Sequence, residues 1–171
     1  MSISRRSFLA SATGTALVLQ FPLHAKGPAI GPHASPSPLD SCVCINPDGT
    51  AVIQVCRAEM GQGVFTSLPM IFAEEAELDW SKVTATQSLQ TEGTGGSSSV
   101  TTSYLPLRQA GAAVREMMIT AAANRWRTAK QDCSAKLGCV IHLPSGRKLT
   151  YGDLVSDAKQ LPVPATDQPS G

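Results

Sequence analysis

Two glycine-rich segments hold most of the residues whose types suit ligand chemistry. The first is Arg57-Ala58-Glu59-Met60-Gly61-Gln62-Gly63; the second is TEGTGGSSSVTTS, residues 91–103, uncharged apart from Glu92. Glycine lets a backbone approach a ligand closely, and free N–H groups at a helix start attract anions, so phosphate suits either segment. The hydroxyls of Ser97, Ser98, Ser99, Thr101 and Thr102 add donors without adding charge. By residue type alone, a plain turn for the first segment and a solvated Gly/Ser loop for the second are the favoured readings. Other chemistries fail on spacing. No lysine follows the glycines where a P-loop needs one, and Gly96-Ser97-Ser98-Ser99 lacks the glycine spacing of a nucleophile elbow. Of the three histidines, His24 and His33 lie near the amino terminus and only His142 lies within the main body, so neither a serine–histidine pair nor a zinc site is expected.

The elements that must position these segments can be read from periodicity. Cys42-Val43-Cys44-Ile45 and Ala51-Val52-Ile53-Gln54-Val55-Cys56 flank Asn46-Pro47-Asp48-Gly49, a set of turn residues that predicts a β-hairpin. After the first glycine segment, Val64, Leu68, Ile71, Phe72 and Leu78 recur at helical spacing, with Pro69 inside the run as a candidate kink. Residues 82–88 alternate and predict a short strand. The second segment then leads to an alanine-rich helix from Tyr104, whose stripe is Leu107, Ala110, Gly111, Val114, Met117, Met118, Ala121 and Ala122. Such small residues imply close packing against another backbone. Residues 138–143 and Lys148-Leu149 around Pro144-Ser145-Gly146 predict a second hairpin, and Thr150 with Asp153 forms a capping pattern for a short helix reaching about Leu161. The order ββ-α-β-α-ββ-α is an α+β mixture, with a small mixed sheet built from hairpins and helices packed on one face.

Residues 1–25 carry Arg5-Arg6, an uncharged apolar run and Leu23-His24-Ala25, the pattern of an export signal. Ser4-Arg5-Arg6-Ser7-Phe8-Leu9 is similar to the twin-arginine motif, which predicts a periplasmic destination. Cleavage after Ala25 or Ala34, or retention as an anchor, are all open. Residues 26–40, rich in Pro, Gly and Ser, read as a linker, 41–164 as the folded domain and 165–171 as a tail. The 171 residues carry 14 basic and 13 acidic groups, a net charge of +1 without a basic stripe, which argues against a nucleic-acid partner. All five cysteines lie beyond the signal, and an envelope compartment permits disulfides; Cys133 and Cys139 bracket a presumed turn and are one possible pair. Buried thiols are the other reading.

The run EMGQGVFTSLPMIFAEEAELDWSKV, followed by TGGSSSVTTSYLPLRQAGAAVREMMITAAANRW, resembles the molybdenum hydroxylase (xanthine oxidase) family. The resemblance extends over residues 46–164. It is nearest to the amino-terminal region of the large molybdopterin-binding subunit of the isoquinoline 1-oxidoreductase and exported aldehyde dehydrogenase type. It implies that Gly61, Gln62 and Gly63 lie against the pterin, with Gln62 donating or accepting there. It also implies that Thr94, Ser97, Ser98 and Ser99 bind the pyrophosphate of molybdopterin cytosine dinucleotide.

The implied reaction is hydroxylation of an aldehyde or N-heterocycle with oxygen from water, a glutamate taking the proton and electrons leaving through iron–sulfur clusters on a small partner subunit. Family large subunits are several times longer than this chain, and their catalytic glutamate lies beyond the region present, so no catalytic residue is assigned here. Glu59 is read as a solvated or salt-bridged loop carboxylate. The resemblance thus implies one segment of a large subunit, inactive alone, whose partners are the remainder of that subunit on another chain and the iron–sulfur subunit. A split subunit, a gene remnant and a sequence fragment are all open origins. The rival reading is a non-catalytic envelope protein that binds no cofactor.

Overall fold

The computed structural model describes residues 16–21 and 41–164. The twin-arginine motif, the linker and the tail lie outside the described residues. Among the described residues, seven strands form two sheets, one four-stranded in the order β1-β2-β3-β4 and one three-stranded in the order β5-β6-β7, accompanied by three α-helices. The expected α+β class holds, with a second small sheet added to the first.

The predicted hairpin is β2 (Ser41–Ile45) and β3 (Ala51–Arg57), antiparallel with Ile45 opposite Ala51. Its turn closes because Gly49 donates to the Asn46 carbonyl at 2.9 Å and the Asp48 carboxylate accepts from the Thr50 N–H at 2.9 Å. The sheet starts earlier than the expected boundary near Ser41. Strand β1 (Leu17–Phe21) pairs antiparallel with β2, Leu17 opposite Ile45 and Phe21 opposite Ser41. An apolar run this short suits a strand as well as a signal core, and periodicity does not separate the two.

Helix α1 (Val64–Glu75) continues unbroken past Pro69, which is buried, and leads to β4 (Val83–Glu92), parallel to β3. Helix α2 (Ser99–Trp126) starts five residues before the expected Tyr104. Its eight predicted stripe residues are all buried. The early start follows from packing: Ser99 and Ser103, one turn apart, are both buried, and burial outweighs the weak helix propensity of serine and threonine. At Gly111 the helices approach so closely that a Cβ would lie 2.7 Å from the Phe72 carbonyl oxygen. The ion group of Glu75 with Arg108 and Arg115 clamps α1 to α2 beside that contact.

Strand β5 (Cys133–Lys136) was not predicted; it pairs with β6 (Cys139–His142), which pairs with β7 (Lys148–Thr150). Four residues are too few for alternation to stand out. The Cys133–Cys139 disulfide is not formed: Cys133 lies opposite His142 and Cys139 opposite Lys136, at opposite ends of the hairpin, and both are free thiols, as is Cys44. Helix α3 (Tyr151–Ala158) opens on the predicted capping box, the Asp153 N–H donating to Thr150 Oγ1 and the Thr150 N–H to the Asp153 carboxylate, and ends three residues short of Leu161. The buried Tyr151 hydroxyl donates to the Ala76 carbonyl at 2.8 Å, tying α3 to the end of α1; burial pushes its pKa up. No helix among the described residues is long and apolar enough to cross a membrane.

Candidate functional site

The parallel pairing of β3 and β4 brings the two glycine segments together. Loop 58–63 leaves the carboxyl end of β3 and enters α1, and loop 93–98 leaves the carboxyl end of β4 and enters α2. Arg57 and Glu92 are partners in the strand register, so both loops start from the same sheet edge. Ligands of open sheets bind in the crevice outside such carboxyl ends, where helix starts converge. The register shifts between Val55 and Arg57, and the Gln87 side-chain amide donates to the Val55 carbonyl at 2.9 Å across this irregularity.

In the first loop, Gly61 (φ 99°) and Gly63 (φ 81°) hold left-handed conformations that side chains disfavour. Glu59 fills the space their N–H groups surround. Its carboxylate accepts from Gly61 at 2.8 Å, Gly63 at 2.9 Å and Phe65 at 3.0 Å. Gln62 is turned back on the same loop, Oε1 accepting from the Met60 N–H at 2.6 Å and Nε2 donating to the Ala58 carbonyl at 2.7 Å. Glu59 is solvent-exposed, as expected of a solvated loop carboxylate, and no salt bridge to it is needed because it also caps the backbone. The phosphate reading of this loop weakens with it, because an internal carboxylate already occupies the donors that would face a phosphate.

The Phe65 N–H, then that of Gly63, holds the Glu59 carboxyl below its usual range. Since the folded-state pKa is depressed, the order that Glu59 gives the loop is present at neutral pH and lost as pH falls through that depressed value. The Gly61 and Gly63 amide resonances should therefore titrate together with a midpoint below about 4.3, the ordinary glutamate value, and Glu59→Gln should abolish the step. A midpoint at or above that value would remove Glu59 from the cap.

The second loop differs. Gly96 (φ 70°) and Ser97 (φ 53°) are both left-handed, Ser97 against the steric preference of a residue with a Cβ. Ser98 is the N-cap of α2 but its side chain makes no capping bond; Ser98 Oγ donates to the Gly95 carbonyl at 3.1 Å, and no acid lies in the first turn. A Cβ built on Gly93, Gly95 or Gly96 meets nothing within 4 Å, so the space over the loop is open. Thr94 is half-buried, Ser97 exposed and Ser98 half-buried, whereas Ser99 is the buried first residue of α2. One turn on, Ser103 is fully buried and its hydroxyl has no hydrogen-bond partner. This open, uncapped and uncharged helix start is what a phosphate group needs.

Between the loops lies Arg57, which the sequence reading passed over. It is 9% exposed, and its guanidinium donates to the Gly93 carbonyl at 2.7 Å and to Thr102 Oγ1 at 3.1 Å. The available signal was a charged residue closing a strand that is otherwise uncharged, next to a glycine loop. Apolar side chains are exposed in both segments as well, Met60 at 70% and Val100, Tyr104 and Leu105 in the first turns of α2. Among the described residues no group of His, Cys, Asp and Glu could hold a metal ion.

Residues 14–169 match the model of the molybdopterin cofactor-binding domain. The chain is 34% identical over 167 residues to a membrane-bound aldehyde dehydrogenase [pyrroloquinoline-quinone] of Gluconacetobacter polyoxogenes, covering 91% of this chain and 21% of the relative. It is 31% identical over 175 residues to the isoquinoline 1-oxidoreductase subunit beta of Brevundimonas diminuta, covering 92% and 22%. Its fold is similar to quinoline 2-oxidoreductase from Pseudomonas putida 86, with a TM-score of 0.56 and 22% identity over 97% of this chain and 20% of that one. It is also similar to CO dehydrogenase from Oligotropha carboxidovorans, with a TM-score of 0.54 and 20% identity over 67% and 15%. The chain spans about a fifth of the length of the relatives it matches in sequence. With that match over most of its length, and with two glycine loops that meet at the carboxyl edge of a parallel strand pair, the chain belongs to the molybdopterin cofactor-binding domain family of the molybdenum hydroxylases.

Proposed function

We propose that loop 93–98 and the start of α2 hold the pyrophosphate of molybdopterin cytosine dinucleotide, while the loop of Gly61, Gln62 and Gly63 presents a polar edge to the pterin. The observation that carries this reading is the contrast between the two helix starts: α1 is closed by the Glu59 carboxylate, and α2 is open, without a side-chain cap or an acid in its first turn. Backbone N–H groups with the hydroxyls of Thr94, Ser97 and Ser98 suit a pyrophosphate without lysine, and Ser99 contributes through its position at the first turn. Gln62, with its amide oxygen and nitrogen each engaged by the loop, holds one further amide proton to offer. When bound, the cofactor supplies the redox chemistry that hydroxylates aldehydes or N-heterocycles with oxygen from water. This chain's residues bind and orient it; the proton-abstracting glutamate and the substrate pocket belong to the remainder of a large subunit, and a small iron–sulfur subunit takes the electrons.

Export by the twin-arginine route follows from Ser4-Arg5-Arg6-Ser7-Phe8-Leu9. Pairing of Leu17–Phe21 with β2 favours retention of this segment over cleavage after Ala25, because cleavage would strip β2 of a neighbouring strand.

The test is purification from the native envelope under mild conditions, with metal, nucleotide and amino-terminal sequence analysis and identification of co-purifying chains. Stoichiometric molybdenum with cytidine nucleotide and a larger partner is the expected result. Replacing Gln62 and Ser97, Ser98 and Ser99 with alanine should lower molybdenum retention about tenfold or more, the loss of several ligand hydrogen bonds. Retention unchanged by these substitutions would reject the site, and a chain that emerges alone without molybdenum, or with pyrroloquinoline quinone instead, would reject the cofactor reading in favour of a non-catalytic remnant or a different enzyme.

A further inference from the structure

Arg57 ends β3 at the head of the first glycine loop, and its guanidinium bonds the structure around the second. Its own backbone is the last residue of β3, directly ahead of loop 58–63. Its side chain reaches 36 residues forward to the Gly93 carbonyl, the first residue of loop 93–98, and 45 residues forward to the Thr102 hydroxyl in the first turn of α2. Thr102 Oγ1 in turn donates to the carbonyl of Ser98, the α2 N-cap, at 2.8 Å. The guanidinium therefore holds loop 93–98 at its beginning and, through Thr102, at its end.

We propose that Arg57 is the positioning residue that fixes the two glycine loops relative to one another, so that they move as one body. Three features favour this over a generic buried ion. Arginine's planar fork can serve two acceptors in fixed directions, which a single ammonium cannot do. The contact lies where the β3–β4 register shifts between Val55 and Arg57, so the strand pairing there does not by itself fix the spacing of the loops. Gly93, Gly95 and Gly96 supply little packing of their own, since no Cβ on these glycines would touch a neighbour. The meaning of this coupling for cofactor binding rests on the reading above; the coupling itself does not.

The experiment uses the full 171-residue chain without ligand. Amide hydrogen exchange is compared for the wild type, Arg57→Lys, Arg57→Gln and Thr102→Val. Arg57→Gln should speed exchange in loop 93–98 and the first turn of α2 about tenfold or more, the equivalent of one or two charge-assisted hydrogen bonds, while the β5–β7 sheet exchanges as before. Arg57→Lys should rescue part of this protection, keeping one contact of the two, and Thr102→Val should loosen the α2 start more than Gly93. Unchanged exchange in loop 93–98, or equal acceleration across the whole domain, would overturn the proposal. If Arg57→Gln fails to fold, Thr102→Val decides alone: selective loosening of residues 98–102 supports the proposal and no loosening overturns it. A separate titration of the wild type with inorganic pyrophosphate tests the cofactor reading. Shifts at Gly95 and Gly96 support it, their absence counts against it, and neither changes the ligand-free exchange result.

Discussion

Gly152→Ala should destabilise the chain by about 3 kcal/mol or more and lower Tm by roughly 6–12 °C. Helix propensity alone predicts the opposite sign, since alanine in place of glycine inside a helix ordinarily adds about 0.5–1 kcal/mol. The close approach decides against propensity. A Cβ at residue 152 would lie 2.1 Å from the Pro47 carbonyl oxygen, 2.7 Å from its carbon and 3.0 Å from the Gly49 N–H nitrogen. All three are backbone atoms of the β2–β3 turn, so no rotamer change relieves the overlap. Either α3 shifts, against its capping box and the Tyr151 bond to Ala76, or the turn shifts, against its Asn46 and Asp48 bonds. Thermal and chemical denaturation of the variant measure the outcome. Stability equal to or above wild type would show that the turn yields freely and that α3 does not hold the hairpin carrying β3 to the first loop.

Glu75→Ala should cost about 3 kcal/mol, and by way of helix placement should also weaken the anion binding proposed for the α2 start. Glu75 is 5% exposed and receives two arginines from α2: Arg108 through Nε at 3.0 Å and Nη2 at 2.9 Å, and Arg115 through Nη1 at 3.0 Å. Arg115 Nη1 also donates to the Glu75 carbonyl at 3.0 Å, so the clamp binds backbone as well as side chain. The Glu75 carboxylate is also what raises the Arg108 pKa, through the hydrogen bond first. Removing the carboxylate takes away the anion that these two half-buried cations share. That outcome costs more than the loss of the bonds themselves. A double-mutant cycle of Glu75→Ala with Arg115→Ala separates the pair from the rest, with a coupling of about 1 kcal/mol or more expected for groups in one network. Additive losses would mean that the arginines act independently of Glu75. Because α1 and α2 each start at one of the two loops, any slackening of this clamp reaches the site as a change of loop spacing.

Much of the domain was legible locally. The hairpin around Asn46-Pro47-Asp48-Gly49 and the Thr150–Asp153 capping box are written in adjacent residues whose short polar side chains bond their own backbone, and both formed as read. The alanine-rich stripe of α2 was legible because helical period and burial are the same fact seen twice. Loop positions followed from glycine content, and the family from the combined motifs. Less came through where local composition and long-range packing disagree. Ser99 to Thr102 look like loop residues, yet packing of Ser99 and Ser103 draws them into α2.

What the sequence by itself determined is therefore the set of short-range elements, the two glycine loops and the family they mark. The tertiary structure alone decided that β3 and β4 run parallel, that both loops meet at one edge, that Glu59 rather than an external anion closes the first, and that Arg57 spans to the second. The physical reason is range: turn chemistry, capping and helical period are satisfied within a few residues, whereas parallel pairing and the Arg57 bonds join positions tens of residues apart, and only the closed fold fixes their distance.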